Sequence, residues 1–195
     1  MEQPQVTAQE TAELLRLAQS TISVDGDWVE FGCYRGDTSV LLQKLLKDFG
    51  ALKTHRLWLY DSFAGLPAKT VEDASVAGDA FKSGELFVTK REVIDKFRRA
   101  NLPLPIVKKA FFADLDPATD LPAKIAFAFL DGDLYDSIKT SLRLVVPKLV
   151  SGAVLVVHDY NNPELPGVTR AVEEFLRANP IFRLAQRHTL AVLSR

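Results

Sequence analysis

The sequence predicts an α/β fold: a single domain over residues 1–195, with a seven-stranded, mostly parallel sheet and a C-terminal antiparallel hairpin. The first observation is a pair of continuous apolar runs at 125–130 and 153–157, because strands buried on both faces of a parallel sheet have this composition. The second is the alternation of strand-like and helix-like segments, which favours right-handed crossovers. The third is the short connection between the last two strand candidates, which only antiparallel strands allow.

The individual elements follow from two periodicities. Apolar residues at helical spacing predict helices, and short apolar or alternating runs predict strands. Thr89 and Glu92 have the spacing of a capping box, which marks the start of one helix. In chain order, the predicted elements are a helix at 10–22, a strand at 27–31, a helix at 37–49, a strand at 55–60, a helix at 89–100, a weaker strand from 106 towards 110, the strand at 125–130, a helix at 137–146, the strand at 153–157, a helix at 167–178 and the hairpin strands 181–184 and 189–193.

Two regions lie outside this alternation. Residues 1–25 precede the first strand and are expected to form an N-terminal helix. Residues 62–88 lack clear periodicity and contain several glycine and proline residues. Loops longer than about 12–15 residues in compact domains are usually functional or disordered. We therefore expect a lid over a binding site at 62–88, with a disordered loop as the alternative.

The composition excludes several classes of partner. The chain has 24 Lys and Arg residues against 25 Asp and Glu residues, so it lacks the basic excess typical of nucleic-acid-binding proteins. No apolar stretch approaches the roughly 20 residues that span a bilayer, and the polar start has no hydrophobic signal region. The single cysteine excludes an internal disulfide and is typical of a reducing compartment. We expect a cytoplasmic protein that binds neither nucleic acid nor membrane.

Acidic residues follow both of the long apolar runs. Asp131 and Asp133 come directly after the first run, and His158 and Asp159 come directly after the second. In open α/β sheets, ligands bind beyond the carboxyl ends of the strands, where these side chains would meet. Uncompensated charge at the boundary of a core is costly, so this concentration of carboxylates indicates an active site.

The turn after the first strand and the acid after the second indicate a nucleoside-type ligand. Gly32 and Gly36 allow a sharp turn and close approach to a ligand, and the next helix offers free N–H groups to an anion. The spacing is G-x-x-x-G and not the G-x-G-x-x-G of dinucleotide-binding proteins. Asp61 has the position of a carboxylate that binds a ribose diol. Taken singly, a structural turn and a turn aspartate are the alternatives.

Several motifs in order resemble the macrocin-type family of S-adenosylmethionine-dependent O-methyltransferases. The resemblance covers residues 28–175, most of the chain, and implies a class I methyltransferase (Rossmann-like) domain that methylates a hydroxyl of a small molecule. The motifs are V-E-F-G-C-Y-R-G at 29–36, D-S-F-A-G-L-P at 61–67, L-D-G-D-L-Y at 130–135, P-K-L at 147–149, S-G at 151–152, H-D-Y at 158–160 and P-G-V-T-R-A-V at 166–172.

The resemblance implies roles for individual residues. Asp131 and Asp159 match metal ligands of the family, typically for Mg²⁺, and Asp133 matches its general base. The segment 111–114 would lie beside the adenine, and Asp61 would hold the ribose hydroxyls. The cofactor-binding set for S-adenosyl-L-methionine implied in this way is Glu30, Gly32, Tyr34, Gly36, Ser39, Asp61, Ser62, Phe112 and Asp131.

His158 departs from the family pattern, which has a second aspartate at this position. Imidazole is a poor ligand for Mg²⁺ and a better one for Mn²⁺, Fe²⁺ or Zn²⁺. Three outcomes are open: a Mg²⁺ site with one ligand fewer, a softer metal with His158 as a ligand, or no metal with His158 as a catalytic base. A merely hydrogen-bonded histidine at a strand end is the fourth interpretation.

Two other functions remain as alternatives at this point. A nicotinamide-dependent oxidoreductase is disfavoured by the glycine spacing. A catalytically degenerate methyltransferase-fold subunit is favoured by His158 and by the short region before the first strand, but not by the three intact aspartates. The predicted acceptor is a hydroxyl of a sugar or another secondary metabolite. The sequence leaves open whether the chain forms a homodimer.

Overall fold

The computed structural model describes residues 5–76, 78 and 80–195. Residues 1–4 of the predicted N-terminal region and residues 77 and 79 of the predicted lid lie outside this set. The five helices of the described chain that are longer than one turn are α1 (Ala8–Gln19), α2 (Asp37–Asp48), α3 (Lys90–Arg99), α4 (Tyr135–Val145) and α5 (Pro166–Ala178). The strands are β1 (Asp27–Phe31), β2 (Leu57–Asp61), β3 (Ile106–Lys109), β4 (Ile125–Leu130), β5 (Leu149–Val157), β6 (Arg183–Arg187) and β7 (Leu190–Ser194).

The seven strands form one sheet in the order β3-β2-β1-β4-β5-β7-β6. The first five strands in the chain pair in parallel, and β7 pairs antiparallel with both β5 and β6. The predicted mostly parallel sheet with a terminal antiparallel hairpin is therefore confirmed. All six residues of β4 are buried, because this strand lies at the centre of the sheet with a hydrophobic cluster on each face.

Strand boundaries differ from the prediction where burial is incomplete. β5 begins at Leu149 and not at residue 153, since Leu149 already pairs with Ile125 of β4, before a register shift, while Ser151 and Gly152 stay exposed. β6 occupies Arg183–Arg187 and not 181–184, and all five of its residues are exposed. β6 is an edge strand that pairs only with β7 and has no buried face. Its sequence therefore has no apolar pattern that marks its bounds, and the predicted bounds were wrong.

The start of α4 also differs. This helix begins at Tyr135 and not at residue 137, and its N-cap position is Leu134, which makes no side-chain cap. Asp136, which would cap a helix beginning at 137, is instead an exposed residue of the first turn. The main-chain N–H of Tyr135 donates to Asp73 Oδ1 at 2.7 Å, so the capping carboxylate comes from a segment 62 residues away.

The segment 62–88 is held by hydrogen bonds between its own described residues and by a contact with α4. Leu66 N–H donates to the carbonyl of Glu85 at 2.8 Å, and Gly84 N–H donates to the carbonyl of Leu66 at 2.9 Å. Asp73 is 2% exposed and attaches the segment to α4. These contacts do not support the alternative of a disordered loop over the described residues. A lid function for this segment stays a prediction. No helix among the described residues is both long and apolar enough to cross a membrane.

Candidate active site

A cleft opens at the carboxyl ends of β1, β2, β4 and β5. It encloses about 700 Å³, including the space at its open mouth, which is within the range of small-molecule sites. Nine of the predicted site residues line it, whereas Glu30, Gly36 and Ser39 do not. The lining residues are Gln5, Gly32, Tyr34, Asp61, Ser62, Gly65, Leu66, Pro67, Leu86, Phe111, Phe112, Asp131, Gly132, Asp133, Ser137, His158 and Asp159.

The four strands that end at the cleft are each followed by a non-glycine residue with a left-handed backbone. These residues are Tyr34 (φ 41°), Phe63 (φ 47°), Asp133 (φ 59°) and Asp159 (φ 58°). Such conformations cost of order 1–3 kcal/mol each and are retained where the surrounding structure requires them, commonly at functional sites. The left-handed residues therefore form sharp turns at the ends of these strands, at the edge of the cleft.

Gly32 allows two of these turns to approach each other. A Cβ at this position would lie 1.8 Å from the carbonyl oxygen of Asp131, and φ of Gly32 is +86°. Only glycine fits, because both the space and the backbone conformation exclude a side chain. The β1–α2 turn is thereby held against the acidic turn that follows β4.

Asp61 organises the β1–α2 turn through its carboxylate. Its Oδ2 accepts hydrogen bonds from the main-chain N–H groups of Cys33 and Tyr34, each at 3.0 Å, and its Oδ1 accepts one from Phe63 N–H at 2.8 Å. The side chain also lines the cleft. Asp61 thus holds the turn in place while part of its acceptor capacity stays directed to the cleft.

Glu30 lies beneath the same turn and is fully buried. Its Oε1 accepts a hydrogen bond of 2.5 Å from Thr38 Oγ1, while Oε2 has no hydrogen-bond partner in the described structure. Burial raises the pKa of Glu30 to about 7, while the nearby hydroxyls of Ser39 and Thr38 act in the opposite direction. Ser39 is also fully buried, with an unpartnered hydroxyl, and Gly36 packs against Val93. These residues support the turn from below.

Three side chains that directly follow β4 and β5 meet at the other side of the cleft. His158 Nδ1 lies 2.8 Å from Asp131 Oδ1 and 3.1 Å from Asp159 Oδ2. One possible ligand atom from each of the three residues lies within 4.8 Å of the others. Asp133 lines the same space. The predicted gathering of the three aspartates at one rim is therefore observed.

The charges in this group alter each other's protonation. Burial alone would lower the pKa of His158, but its carboxylate neighbours outweigh burial and raise that pKa well above its usual value. Burial raises the pKa of Asp131, with the nearby His158 opposing the rise. Burial, together with the charges of Asp131 and Asp159, raises the pKa of Asp133 well above its usual range. Asp131, Asp133 and His158 therefore each favour the protonated form more than they would in water.

Glu10 is a residue of this site that the sequence interpretation missed. It is 4% exposed, and its Oε2 lies 3.8 Å from His158 Nε2, on the side of the ring away from the two aspartates. Proximity to His158 is the main cause of a lowered pKa for Glu10. Thr7 and Glu10 have capping-box spacing, which marks a helix start but does not reveal a contact with a residue 148 positions later.

Two aromatic rings form the far wall of the cleft. Phe111 and Phe112 both line it, and Phe112 packs edge-on against Phe31 with ring centroids 5.1 Å apart. Gly132 makes room for this ring, since a Cβ there would lie 3.1 Å from Phe112. The arrangement offers a flat apolar surface next to the acidic rim.

The side chains at the rim fit a divalent cation. They comprise two carboxylates and one imidazole, and the two distances from His158 Nδ1 match the spacing of about 3 Å between adjacent ligands of a six-coordinate ion. A nitrogen ligand favours Mn²⁺, Fe²⁺ or Zn²⁺ over Mg²⁺. Binding would displace a proton from His158, because ligands coordinate in their deprotonated form.

The sheet order, together with a ligand cleft at the carboxyl ends of its strands, defines the class I methyltransferase fold. Within this class, the chain belongs to the macrocin-O-methyltransferase (TylF) family, whose model matches residues 9–187. The predicted family is thereby confirmed. The nicotinamide alternative is not favoured.

Two relatives of this chain are named as O-methyltransferases. The chain is 31% identical over 142 residues to 8-demethyl-8-(2,3-dimethoxy-alpha-L-rhamnosyl)-tetracenomycin-C 4'-O-methyltransferase from Streptomyces olivaceus, covering 70% of this chain and 54% of the relative. It is 31% identical over 160 residues to demethyldecarbamoylnovobiocin O-methyltransferase from Streptomyces niveus, covering 78% and 59%. The chain thus spans between half and two thirds of the length of these relatives.

A solved structure supports the same assignment. The O-methyltransferase NovP aligns with a TM-score of 0.82 and 26% identity, covering 96% of this chain and 79% of NovP.

Proposed function

We propose that this chain transfers a methyl group from S-adenosylmethionine to a hydroxyl of a small molecule, namely a sugar or another secondary metabolite. The observation that carries the proposal is the convergence of Asp131, Asp133 and Asp159 on one cleft that also contains Asp61 and Gly32. Membership of the macrocin-O-methyltransferase family and the names of two relatives, one of which contains a rhamnosyl group, support the acceptor class.

The cofactor is assigned to the side of the cleft formed by the β1–α2 turn. Gly32 and Tyr34 provide a close main-chain surface there, Asp61 offers acceptors for a ribose diol, and Phe112 offers a flat face for a base. A bound S-adenosylmethionine would supply a methyl group that its positive sulfur already activates. The protein's task is then to align an acceptor oxygen with that methyl group.

Asp133 is assigned as the general base. Its left-handed backbone directs the side chain into the cleft, and its raised pKa suits a group that accepts a proton from a weakly acidic hydroxyl. Burial is the main cause of this raised pKa, and the negative charges of Asp131 and Asp159 add to it. The proton from the acceptor would therefore move to a carboxylate oxygen of Asp133.

A divalent ion is assigned to Asp131, His158 and Asp159, whose ligand atoms fit it. When bound, it would lower the pKa of an acceptor hydroxyl. We favour Mn²⁺ or a similar ion over Mg²⁺, because of the imidazole nitrogen. The competing assignment is a site without metal in which His158 is the base. The contacts of the ring argue against it: both nitrogens face carboxylates, so neither is free to accept a proton from a substrate.

Ligand-dependent stabilisation and methyl transfer test the proposal separately. S-adenosylhomocysteine at a concentration 100 times its Kd should stabilise the folded protein by about 2.7 kcal/mol, whereas NADH should have no effect. In a second assay, the radiolabelled methyl group of S-adenosylmethionine should be transferred to at least one member of a panel of hydroxylated sugars and aglycones. Stabilisation by NADH alone would contradict the cofactor assignment. Binding of S-adenosylhomocysteine without transfer to any member of the panel would favour the degenerate subunit. A cytoplasmic location and a homodimer stay predictions.

A further inference from the structure

His158 presents its two ring nitrogens to two different groups of carboxylates. Nδ1 faces Asp131 and Asp159 at 2.8 and 3.1 Å, on the cleft side. Nε2 faces Glu10 at 3.8 Å, on the side of α1. The ring orientation is thus defined by two side chains that follow β4 and β5 and by one side chain of α1.

The carboxylate of Glu10 is fixed in place independently of His158. Its Oε2 accepts hydrogen bonds from Thr7 N–H at 3.0 Å and from Thr7 Oγ1 at 2.7 Å. Its Oε1 accepts from Thr189 N–H at 3.3 Å and from the Thr189 hydroxyl, in the turn between β6 and β7. Because four donors hold it, Glu10 can act as a rigid support for the ring.

Hydrogen bonds to two threonines do not explain why this residue is an acid. A glutamine would accept some of the same bonds, whereas a carboxylate at 4% exposure is costly unless a positive group lies nearby. Among the described residues, His158 is the basic side chain within 4.0 Å of Glu10. The negative charge of Glu10 is therefore explained by the nearby imidazole of His158 and not by the capping of α1.

We propose that Glu10 is a positioning residue for the metal site: its carboxylate faces the Nε2 edge of His158 and so keeps Nδ1 turned towards the ion that Asp131 and Asp159 would hold. A carboxylate on the outer nitrogen of a histidine ligand fixes its tautomer and raises its basicity. The proposal rests on the proposed function, since it concerns the same site. Through Glu10, α1 would contribute to metal binding together with the three ligand residues that follow β4 and β5.

Mn²⁺ affinity of the full chain, measured from the electron paramagnetic resonance signal of free Mn²⁺, tests this role. Glu10→Gln should weaken Mn²⁺ binding 10- to 100-fold, the usual effect of losing such a partner. Glu13→Gln is the matched control, because Glu13 lies one turn further along α1 and pairs with Arg16 and Arg187. The control should stay within twofold of wild type.

A double-mutant comparison separates positioning from general damage to α1. In a His158→Asp background there is no ring to orient, so Glu10→Gln should leave Mn²⁺ affinity unchanged or increase it by removing a nearby negative charge. An equal loss in both backgrounds would overturn the proposal, as would no loss in either or a wild-type protein that binds no Mn²⁺. Binding of S-adenosylhomocysteine, measured in each protein, tells these failures apart from a failure of the proposed function.

A measurement on the wild-type protein avoids dependence on whether the variants fold. In Zn²⁺-loaded protein with ¹⁵N-labelled histidine, His158 should carry its proton on Nε2 and coordinate through Nδ1. The chain has 3 histidines, and the signal of His158 is the one lost in His158→Asp. A proton on Nδ1 with coordination through Nε2 would overturn the proposal.

Discussion

Gly167 lies directly against the carboxylate of Asp73: a Cβ at position 167 would be 2.0 Å from Asp73 Oδ1. The same Oδ1 accepts the Tyr135 N–H at 2.7 Å, and Oδ2 accepts Thr70 N–H at 2.9 Å. Asp73 therefore connects the segment 62–88 to the starts of α4 and α5. Since α4 follows the turn that contains Asp133, this buried capping contact also supports the rim of the cleft.

Gly167→Ala should destabilise the protein by about 1–3 kcal/mol, because the new methyl group would displace Asp73 and leave a helix start uncapped in a buried setting. Urea unfolding monitored by circular dichroism measures the change. The control is the same substitution in an Asp73→Ala background, where the obstructing carboxylate is absent. There Gly167→Ala should cost clearly less. Equal losses in the two backgrounds would show that Asp73 is not the obstacle.

The sheet was predictable because its central strands have a composition that few other structures allow. The run that became β4 is buried on both faces, so its apolar character is continuous and its boundaries were predicted correctly. β6 gave no such signal, since all of its residues are exposed and its position is set by pairing with β7. Burial, and not strand formation itself, is what the sequence reported.

The candidate site was predictable to the extent that it lies at strand ends. Asp131, Asp133, His158 and Asp159 follow buried strands, and parallel pairing brings such positions together. Glu10 and Asp73 act through tertiary contacts with residues 148 and 62 positions away. Each also has an ordinary local interpretation as a residue in a helix-capping box. No local pattern distinguishes the two uses of the same carboxylate.

Asp61→Asn should weaken S-adenosylhomocysteine binding at least tenfold, which corresponds to about 1.4 kcal/mol. The amide group would replace one of two oxygens that together accept from Cys33, Tyr34 and Phe63, so the β1–α2 turn would lose its support. Isothermal titration calorimetry measures the affinity.

Asp27→Asn is a suitable control for that experiment. Asp27 also accepts two hydrogen bonds, from Arg56 N–H and Trp58 Nε1–H, but it lies at the opposite end of the strands. This variant should lose stability and keep its affinity for S-adenosylhomocysteine. Wild-type affinity in Asp61→Asn would exclude Asp61 from the cofactor site.

Glu30 should make the stability of the protein fall as the pH rises from about 4.5 to about 7. Its pKa is raised from 4.5 to about 7 in the folded protein, so within this range the unfolded chain binds fewer protons than the folded one. The stabilising contribution is complete below pH 4.5 and is lost as the pH reaches 7. Over this range it amounts to at most about 3 kcal/mol.

The comparison of wild type with Glu30→Gln isolates this effect, because glutamine keeps the shape and an acceptor for Thr38 but does not titrate. Urea unfolding at several pH values should give a stability difference between the two proteins that changes between pH 4.5 and 7 and is constant above pH 8. Parallel stability curves would mean that Glu30 is not protonated in the folded state near pH 6.

Asp133→Asn should reduce kcat by a factor of 10² to 10⁴, the usual contribution of a general base, and leave the affinity for S-adenosylhomocysteine within a few-fold of wild type. An amide cannot accept the proton of the acceptor hydroxyl, while its size preserves the cleft. Asp136→Asn is the matched control: it makes the same change three residues later, at an exposed position of α4 that does not line the cleft, and should keep full activity. Turnover that survives in Asp133→Asn would show that Asp133 is not the base. His158, the competing assignment, would then be the next residue to test, since it contacts both Asp131 and Asp159.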